Sequence, residues 1–381
     1  MKLIMTVCCH VDLCGADLSM LTVLKGLKEH GYQIVVLLTR HGRIEENLRN
    51  LKIEYYIIPQ NGCITNRTIN QTYFLPRKIY NWLFFLKHEI LCDIKLYRFI
   101  KSFPHKPDVI YTNTILPTTG IFLSQYYRIP HIMHIRELVD DDFHFIYYIG
   151  KKFYLKILKW NLTYAICISK AVLNKFRPFL KDKSILIYNG IPEIVYPTSN
   201  HDTSKVKLLF VGRLSKEKGI MELIQAIIRL KRQGINNLIL DIWGEGVDRC
   251  LLEDTIKKEK LENFIFLKGY APSMKIPRQN YDIAIMPSPH EAFGRVTVEF
   301  MMAGLPVIGC NGGATSEIIE NGISGLLYNS ITELVSQLQV LIVDKDKRKL
   351  LGQNAKIRAK QFFSEQAYIN NINNLFDSLW I

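Results

Sequence analysis

Residues 287–309 read PSPHEAFGRVTVEFMMAGLPVIG, and this stretch decides the fold class. Its order predicts the end of a buried strand, a loop, a short helix over 295–303 and the start of another strand. Gly294 permits a positive φ or a close approach of the backbone just before the helix. In α/β proteins, a loop at the carboxyl end of a strand that leads into a helix is a common phosphate site. Glu291 on the loop and Glu299 on the helix would flank such a ligand, and carboxylates suit the vicinal hydroxyls of a ribose or hexose.

A second motif predicts a group that binds the phosphates themselves. Residues 208–219 read LLFVGRLSKEKG, which indicates a buried strand followed by a turn with Arg213 and Lys218. Two cations at the carboxyl end of a strand suit a pyrophosphate. The alternative is that they are solvated loop cations, which is the expectation for Lys216.

Strand-like and helix-like segments alternate along the whole chain, which favours parallel α/β sheets. A polar, proline-containing break near 189–204 separates two such series. The predicted strands are 3–7, 33–39, 54–58, 108–111, 131–135, 164–168 and 185–188 before the break, and 207–211, 238–243, 264–267, 283–287 and 306–309 after it. A helix is predicted over 17–30, and the apolar face of 364–381 predicts a last helix that packs back across the domain boundary.

The Glu-x7-Glu spacing of Glu291 and Glu299, with Phe-Gly inside it and Ala-Gly-Leu-Pro-Val after it, resembles the retaining glycosyltransferases of family 4, the glycosyl transferases group 1. The resemblance is strong over 206–328, although Ala292 stands where the family often has Gly. It implies the GT-B fold, an α/β architecture of two Rossmann-like domains facing each other across a cleft. The predicted divisions are an acceptor-binding domain over 1–192, a linker over 193–205, a nucleotide-sugar-binding domain over 206–363 and the C-terminal helix.

The resemblance also implies a role for each matching residue. Glu299 is expected to hold the nucleotide ribose and Glu291 to lie beside the donor sugar. Arg213 and Lys218 are expected to bind the donor diphosphate, and together with Glu291 and His134 they form the predicted catalytic set. The other predicted donor-binding residues are Gly15, Gly244, Tyr270, Phe293, Gly294, Arg295 and Val296.

The two predicted site residues of the N-terminal half depend on weaker patterns. Gly15 belongs to a Cys-Gly-Ala-Asp sequence that resembles Gly-Gly-Ala-Glu in the family, with Cys14 in place of the first Gly. His134 matches a position where a His faces the donor sugar, but a lone strand histidine is also typical of a satisfied core residue. Arg136 and Glu137 either line the acceptor side or pair with each other.

The implied activity is that of a metal-independent hexosyltransferase without a cofactor. It would move a sugar with retention from a nucleotide sugar, a UDP-sugar being favoured, to a hydroxyl of a glycan or lipid-linked acceptor in bacterial surface polysaccharide synthesis. Residues 140–142 spell Asp-Asp-Asp, so an Asp-x-Asp metal motif exists formally, but acidic runs are usually solvated. A metal cluster of Cys8, Cys9, His10 and Cys14 is a further alternative to buried thiols in a reducing compartment. The competing functions are a catalytically silent sugar-nucleotide-binding scaffold, an epimerase of the same fold, and a phosphorylase.

Charge and hydropathy indicate where the protein works. Of the net charge of +14, residues 1–200 contribute most, with 26 basic and 15 acidic side chains. Basic-aromatic stretches at 77–87 and 151–160 suit an anionic membrane surface, or are amphipathic helices with solvated lysines. No nucleic-acid recognition motif accompanies them. With no apolar run of about 18 residues and no signal peptide, the expected location is the cytoplasm, peripheral at the inner face of the plasma membrane.

Overall fold

The computed structural model describes residues 1–60, 62, 64–65, 77–139, 146–193 and 205–380. The chain divides into two compact units. The first comprises Met1–Gly190 together with Gln366–Ile381, and the second comprises Ile191–Glu365.

The first unit contains a seven-stranded parallel sheet in the order β3-β2-β1-β5-β6-β8-β9. The strands of the unit are β1 Leu3–Cys8, β2 Gln33–Leu38, β3 Glu54–Ile57, β4 Ile64–Thr65, β5 Val109–Asn113, β6 His131–Ile135, β7 Ile146–Tyr147, β8 Tyr164–Cys167 and β9 Ser184–Leu186. The short strands β4 and β7 form a separate antiparallel pair. The helices are α1 Gly15–Glu29, α2 Ile44–Asn50, α3 Arg77–Ser102, α4 Thr119–Tyr127, α5 Lys151–Asn161 and α6 Lys170–Leu180.

The second unit contains a six-stranded parallel sheet in the order β12-β11-β10-β13-β14-β15. Its strands are β10 Val206–Val211, β11 Leu238–Trp243, β12 Ile265–Gly269, β13 Ile283–Met286, β14 Val307–Cys310 and β15 Leu326–Tyr328. Its helices are α7 Ile220–Arg232, α8 Arg249–Lys258, α9 Arg295–Met302, α10 Thr315–Ile318, α11 Ile331–Val343 and α12 Lys345–Phe363. The sequence pattern does not predict β15, which spans three residues, nor the two-residue strands β4 and β7 of the first unit.

The last helix, α13 Glu365–Asp377, completes the core of the first unit. Its buried face packs with residues of β1, β2 and α1 in one apolar cluster, and the members from α13 are Tyr368, Ile372, Leu375 and Phe376. At Gly26 on α1, an added Cβ would lie 2.6 Å from Ile369, so the two helices approach closely there. The predicted return of the C-terminal helix to the N-terminal domain is confirmed.

Two parallel sheets with helical crossovers confirm the α/β prediction of two Rossmann-like domains. α1 begins two residues earlier than predicted, because Asp17 accepts a hydrogen bond from the Cys14 amide in a capping box. Among the described residues, no helix combines the length and the apolar character that crossing a membrane requires.

Candidate active site

The loops that follow β10 and β13 meet at the carboxyl edge of the second sheet. β10 and β13 are neighbouring parallel strands, so both loops leave the sheet at the same edge. Gly219, the N-cap of α7, has a φ of +68°, and a Cβ added there would lie 2.2 Å from the Pro287 carbonyl oxygen. A side chain at this position would therefore force the two loops apart.

This contact brings a predicted cation beside a predicted carboxylate. Lys218 Nζ lies 2.5 Å from Glu291 Oε1, and their side chains are 29% and 14% exposed. The two residues are 73 positions apart in sequence. Arg213 is exposed at the start of the same loop, five residues before Lys218, and Lys216 is exposed within it.

The loop that follows β14 supports Glu291 from the other side. Gly313 has a φ of +51°, and a Cβ there would lie 2.6 Å from the Glu291 carbonyl oxygen. The Ala314 amide donates to that same oxygen at 2.8 Å. Three loops from adjacent parallel strands thus fix the backbone at Glu291, and α9 begins four residues later at Arg295 behind a left-handed Gly294.

Glu299 is held by an arginine that the sequence analysis did not single out. Arg278 Nη2 donates to Glu299 Oε2 at 2.5 Å, and Arg278 has no exposed surface. Ser273 Oγ donates to the same carboxylate oxygen, also at 2.5 Å. Arg278 further binds Ser273 through Nη1 to its carbonyl oxygen, at 2.6 Å, and Nη2 to its hydroxyl, at 2.7 Å. No recognisable motif surrounds Arg278 in the sequence. Arg278 stands in a mixed segment, APSMKIPRQNY over 271–281, that gives no signal of its burial.

The other predicted donor-binding residues of this unit follow the carboxyl ends of strands of the same sheet. Phe293 is buried and stacks edge-on against Phe363, with ring centroids 6.0 Å apart. Arg295 and Val296, in the first turn of α9, are both partly exposed. Gly244 follows β11 and packs against the Gly212 carbonyl oxygen. Tyr270 follows β12 and is 73% exposed.

His134 lies in β6 of the first unit with no exposed surface. Its Nδ1 is 2.9 Å from the Tyr111 hydroxyl and 3.3 Å from Arg136 Nη2. Burial, and then the charge of Arg136, lower the pKa of His134 well below its ordinary value, so the imidazole is neutral. The structure therefore places His134 in the core of this unit, the alternative that a lone strand histidine leaves open. Its contact with a donor stays a prediction.

The Arg136 side chain contacts His134 and four further polar side chains within the first unit. Its Nε donates to Asn113 Oδ1 at 2.6 Å and its Nη1 to Asn189 Oδ1 at 2.7 Å. Its Nη2 lies 3.3 Å from the hydroxyls of Tyr111 and Tyr368. The contact between Arg136 and Glu137 is made by the Arg136 backbone amide, which donates to the Glu137 carboxylate at 3.1 Å. The predicted roles of these two residues, on the acceptor side or as a pair, stay predictions.

Gly15 is the first residue of α1, beside a group of thiols. Burial raises the pKa of the Cys9 thiol to about 12, so this thiol is protonated at neutral pH. Within the described part of the chain, His10, Cys14 and Asp17 are the group whose ligand atoms could converge on one metal ion, since these atoms lie within 4.8 Å of one another. The Asp-x-Asp alternative, at 140–142, lies outside the described residues.

Comparisons with known proteins cover both units. Residues 196–358 match the family model of the glycosyl transferases group 1, and residues 14–193 match that of glycosyltransferase family 4. An uncharacterized glycosyltransferase of Methanocaldococcus jannaschii is 28% identical over 71% of this chain and 76% of its own. The capsular polysaccharide biosynthesis glycosyltransferase CapM of Staphylococcus aureus is 24% identical over 87% of this chain and 92% of its own.

Among solved structures, Anabaena HepE in complex with UDP and glucose superposes with a TM-score of 0.76 at 21% identity, over 98% of this chain and 99% of HepE. This likeness shows the fold. Because the two family models together span nearly the whole chain, and the HepE structure superposes over nearly all of it, the protein belongs to glycosyltransferase family 4, the glycosyl transferases group 1, and has the GT-B fold.

Proposed function

We propose that this glycosyltransferase moves a sugar from a nucleotide-sugar donor to a hydroxyl of a glycan or lipid-linked acceptor, with retention of configuration and without a metal. The observation that carries the proposal is the meeting of the β10 and β13 loops, which sets Lys218 against Glu291. Cations, a helix N-terminus and carboxylates at the carboxyl edge of one parallel sheet suit a ligand that has both phosphates and hydroxyls.

The chemistry requires stabilisation of the charge that develops on the departing diphosphate. Arg213 and Lys218 supply positive charge, and the amides of the first turn of α9 supply further donors. Preorganised groups of this kind are worth roughly 3–4 kcal/mol each when they face a developing charge. The bond from the anomeric carbon to the phosphate oxygen breaks, the acceptor oxygen bonds to that carbon from the same face, and the acceptor proton passes to the departing phosphate. Glu291 is proposed to act on the sugar, since it lies beside Lys218, and Glu299 on the ribose.

The donor is proposed to be a UDP-sugar. HepE has been solved with UDP and glucose, which makes UDP the first nucleotide to test here. A thermal-shift screen with UDP-, GDP-, ADP- and dTDP-sugars ranks the donors, because ligand binding raises the unfolding temperature by mass action. No shift with any of these donors would contradict the proposal.

Metal independence has its own test. Turnover is expected to persist in excess EDTA, because cations of the chain take the place of a divalent ion. Loss of turnover in EDTA that Mg²⁺ or Mn²⁺ restores would overturn this part of the proposal and return attention to Asp140 and Asp142. Product analysis separates a transferase from an epimerase, which would change the sugar without moving it. A silent binding subunit would bind the donor and form no product.

An anionic membrane surface is proposed as the place where a lipid-linked acceptor is met. On α5, Phe153 is 58% and Trp160 is 71% exposed, and Lys156 Nζ lies 4.9 Å from the centre of the Trp160 ring. On α3, five apolar side chains are at least two-fifths exposed, namely Leu83, Ile90, Leu91, Ile94 and Tyr97. A row of exposed apolar groups beside lysines is typical of a helix that lies in a membrane interface. The protein would then work at the inner face of the plasma membrane.

Sedimentation with vesicles tests this surface. Binding to anionic vesicles should exceed binding to neutral vesicles and should weaken in high salt. Trp160→Ser should reduce this binding, while Val343→Ser, a change at an even more exposed apolar residue of the second unit, should not. Equal binding to both vesicle types, or none to either, would leave α3 and α5 as solvated helices.

A further inference from the structure

The ion pair of Arg278 with Glu299 is the most deeply buried of the ion pairs among the described residues. The Arg278 side chain has no exposed surface and that of Glu299 is 9% exposed, whereas each of the other pairs has at least one member that is more than a quarter exposed. A buried cation is costly unless a partner and further hydrogen bonds compensate it. Glu299 therefore has a structural partner that fixes it before any ligand arrives.

The hydrogen bonds of the Glu299 carboxylate are made to one of its two oxygens. Arg278 Nη2 and Ser273 Oγ both donate to Oε2 of Glu299, each at 2.5 Å. No hydrogen bond from the described part of the chain reaches Oε1, which is therefore the oxygen available to a ligand. Arg278 also donates hydrogen bonds to the carbonyl oxygen and the hydroxyl of Ser273. These hydrogen bonds connect the loop between β12 and β13, which holds Ser273 and Arg278, to Glu299 on α9.

We infer that Arg278 is a positioning residue that holds Glu299 for a ribose diol, and that the donor is therefore a ribonucleoside diphosphate sugar rather than a 2′-deoxyribonucleoside one. This inference rests on the proposed function, in which Glu299 meets the ribose. A fixed, buried carboxylate cannot turn to find another donor when a hydroxyl is missing. A site built to bind a hydroxyl rejects the analogue that lacks it, because its own polar group is then left unpaired.

The test is the ratio of dissociation constants for 2′-deoxy-UDP and UDP, measured by titration calorimetry on the whole protein and repeated with the ADP and GDP pairs. The native protein should prefer the ribonucleotide by about ten- to a hundredfold, as expected for a hydrogen bond to a charged group. Arg278→Met should bring the ratio below about three, chiefly by weakening the ribonucleotide, because the carboxylate is no longer fixed. Arg278→Lys keeps the positive charge but lacks the planar guanidinium with its several donors, and should give a ratio between those of the native protein and Arg278→Met.

Two further variants keep the result interpretable. Ser273→Ala removes one donor from Oε2 at a partly exposed position, so it should fold and should lower the ratio by a few-fold even where Arg278→Met does not fold. Arg232→Met is the matched control, since Arg232 pairs with Glu259 on the surface of the same unit, and the ratio should not change.

The outcomes separate this inference from the proposed function. If the native protein binds UDP and 2′-deoxy-UDP equally, or if the folded Arg278 and Ser273 variants keep the native ratio, the positioning role is wrong while the transferase proposal stands. If no nucleoside diphosphate binds the native protein at all, the proposed function falls and the inference falls with it.

Discussion

Substitution of Lys218 and substitution of Glu291 should have different effects on the affinity for a nucleotide, although the two residues form one ion pair. In the structure Lys218 Nζ is bound to Glu291, so a diphosphate must compete with this carboxylate for the same ammonium group. Lys218→Met removes the cation and should weaken UDP binding. Glu291→Gln releases the cation and should leave UDP binding intact or strengthen it, although the residue is proposed to serve the sugar.

The expected size of each effect follows from the type of interaction that is lost and from how far the two side chains are exposed. A hydrogen bond to a charged group contributes roughly 1.5–3 kcal/mol, so Lys218→Met should cost about ten- to a hundredfold in UDP affinity. The Lys218–Glu291 pair is partly exposed, and such pairs are worth roughly 0.2–1 kcal/mol. Its removal should therefore improve UDP affinity by at most about fivefold and lower the unfolding temperature by no more than about 4 °C.

Titration calorimetry with UDP and UMP, beside steady-state kinetics with the donor, measures both effects. Lys218→Met should weaken UDP more than UMP, which has no second phosphate. Glu291→Gln should lower kcat and kcat/KM together, as expected when an interaction made only in the transition state is lost. Lys216→Met is the matched control, because Lys216 lies exposed in the same turn. The reasoning is refuted if Glu291→Gln weakens UDP as strongly as Lys218→Met, or if Lys216→Met has the effect predicted for Lys218→Met.

The other predictions concern stability. Glu299→Ala leaves the buried Arg278 uncompensated and should cost about 3–5 kcal/mol in urea unfolding, while a second change, Arg278→Met, should recover part of this loss; no recovery would contradict the assigned partnership. Gly219→Ala should destabilise by more than 1 kcal/mol, because its Cβ would meet the Pro287 carbonyl, whereas Gly31→Ala, also at positive φ but with open space around it, should cost less; equal costs would remove the steric argument. Burial lowers the folded-state pKa of His131 from an ordinary 6.5 to about 3, so the unfolded chain binds the extra proton between these values and stability falls as pH falls below about 6.5. His131→Gln should reduce that slope by up to about 1.4 kcal/mol per pH unit, and an unchanged slope between about pH 4 and pH 6 would show that His131 does not contribute.

The sequence was sufficient for the fold because hydrophobic strands and helices alternate with little ambiguity. It also placed Glu291 and Lys218 at the carboxyl ends of two strands, and parallel neighbours bring such ends together. It could not show that the two side chains touch, because contact depends on how Gly219 lets one loop approach the other.

Arg278 shows a different limit of sequence reasoning. It precedes Glu299 by 21 residues and lies in a loop without a motif, so only the folded backbone brings their side chains together. For His134 the sequence left two alternatives, a histidine that faces the donor sugar and a satisfied core residue. Both have the same pattern, a histidine at the end of a buried strand. Only burial and the contacts with Tyr111 and Arg136 show where the ring lies.

The return of α13 to the first unit has a consequence for synthesis of the chain. Tyr368, Ile372, Leu375 and Phe376 belong to the same apolar cluster as β1 and β2. β1 and β2 are synthesised before the second unit, but their core is complete only after α13 has been synthesised behind that unit. The second unit, which lies between them in sequence, has all of its own core residues earlier. A stop codon shortly before α13 should therefore damage the unit made first and spare the one made second. The truncated chain would expose apolar surface of α1 and β1 to chaperones and proteases, while the loops that follow β10 and β13 in the second unit stayed folded.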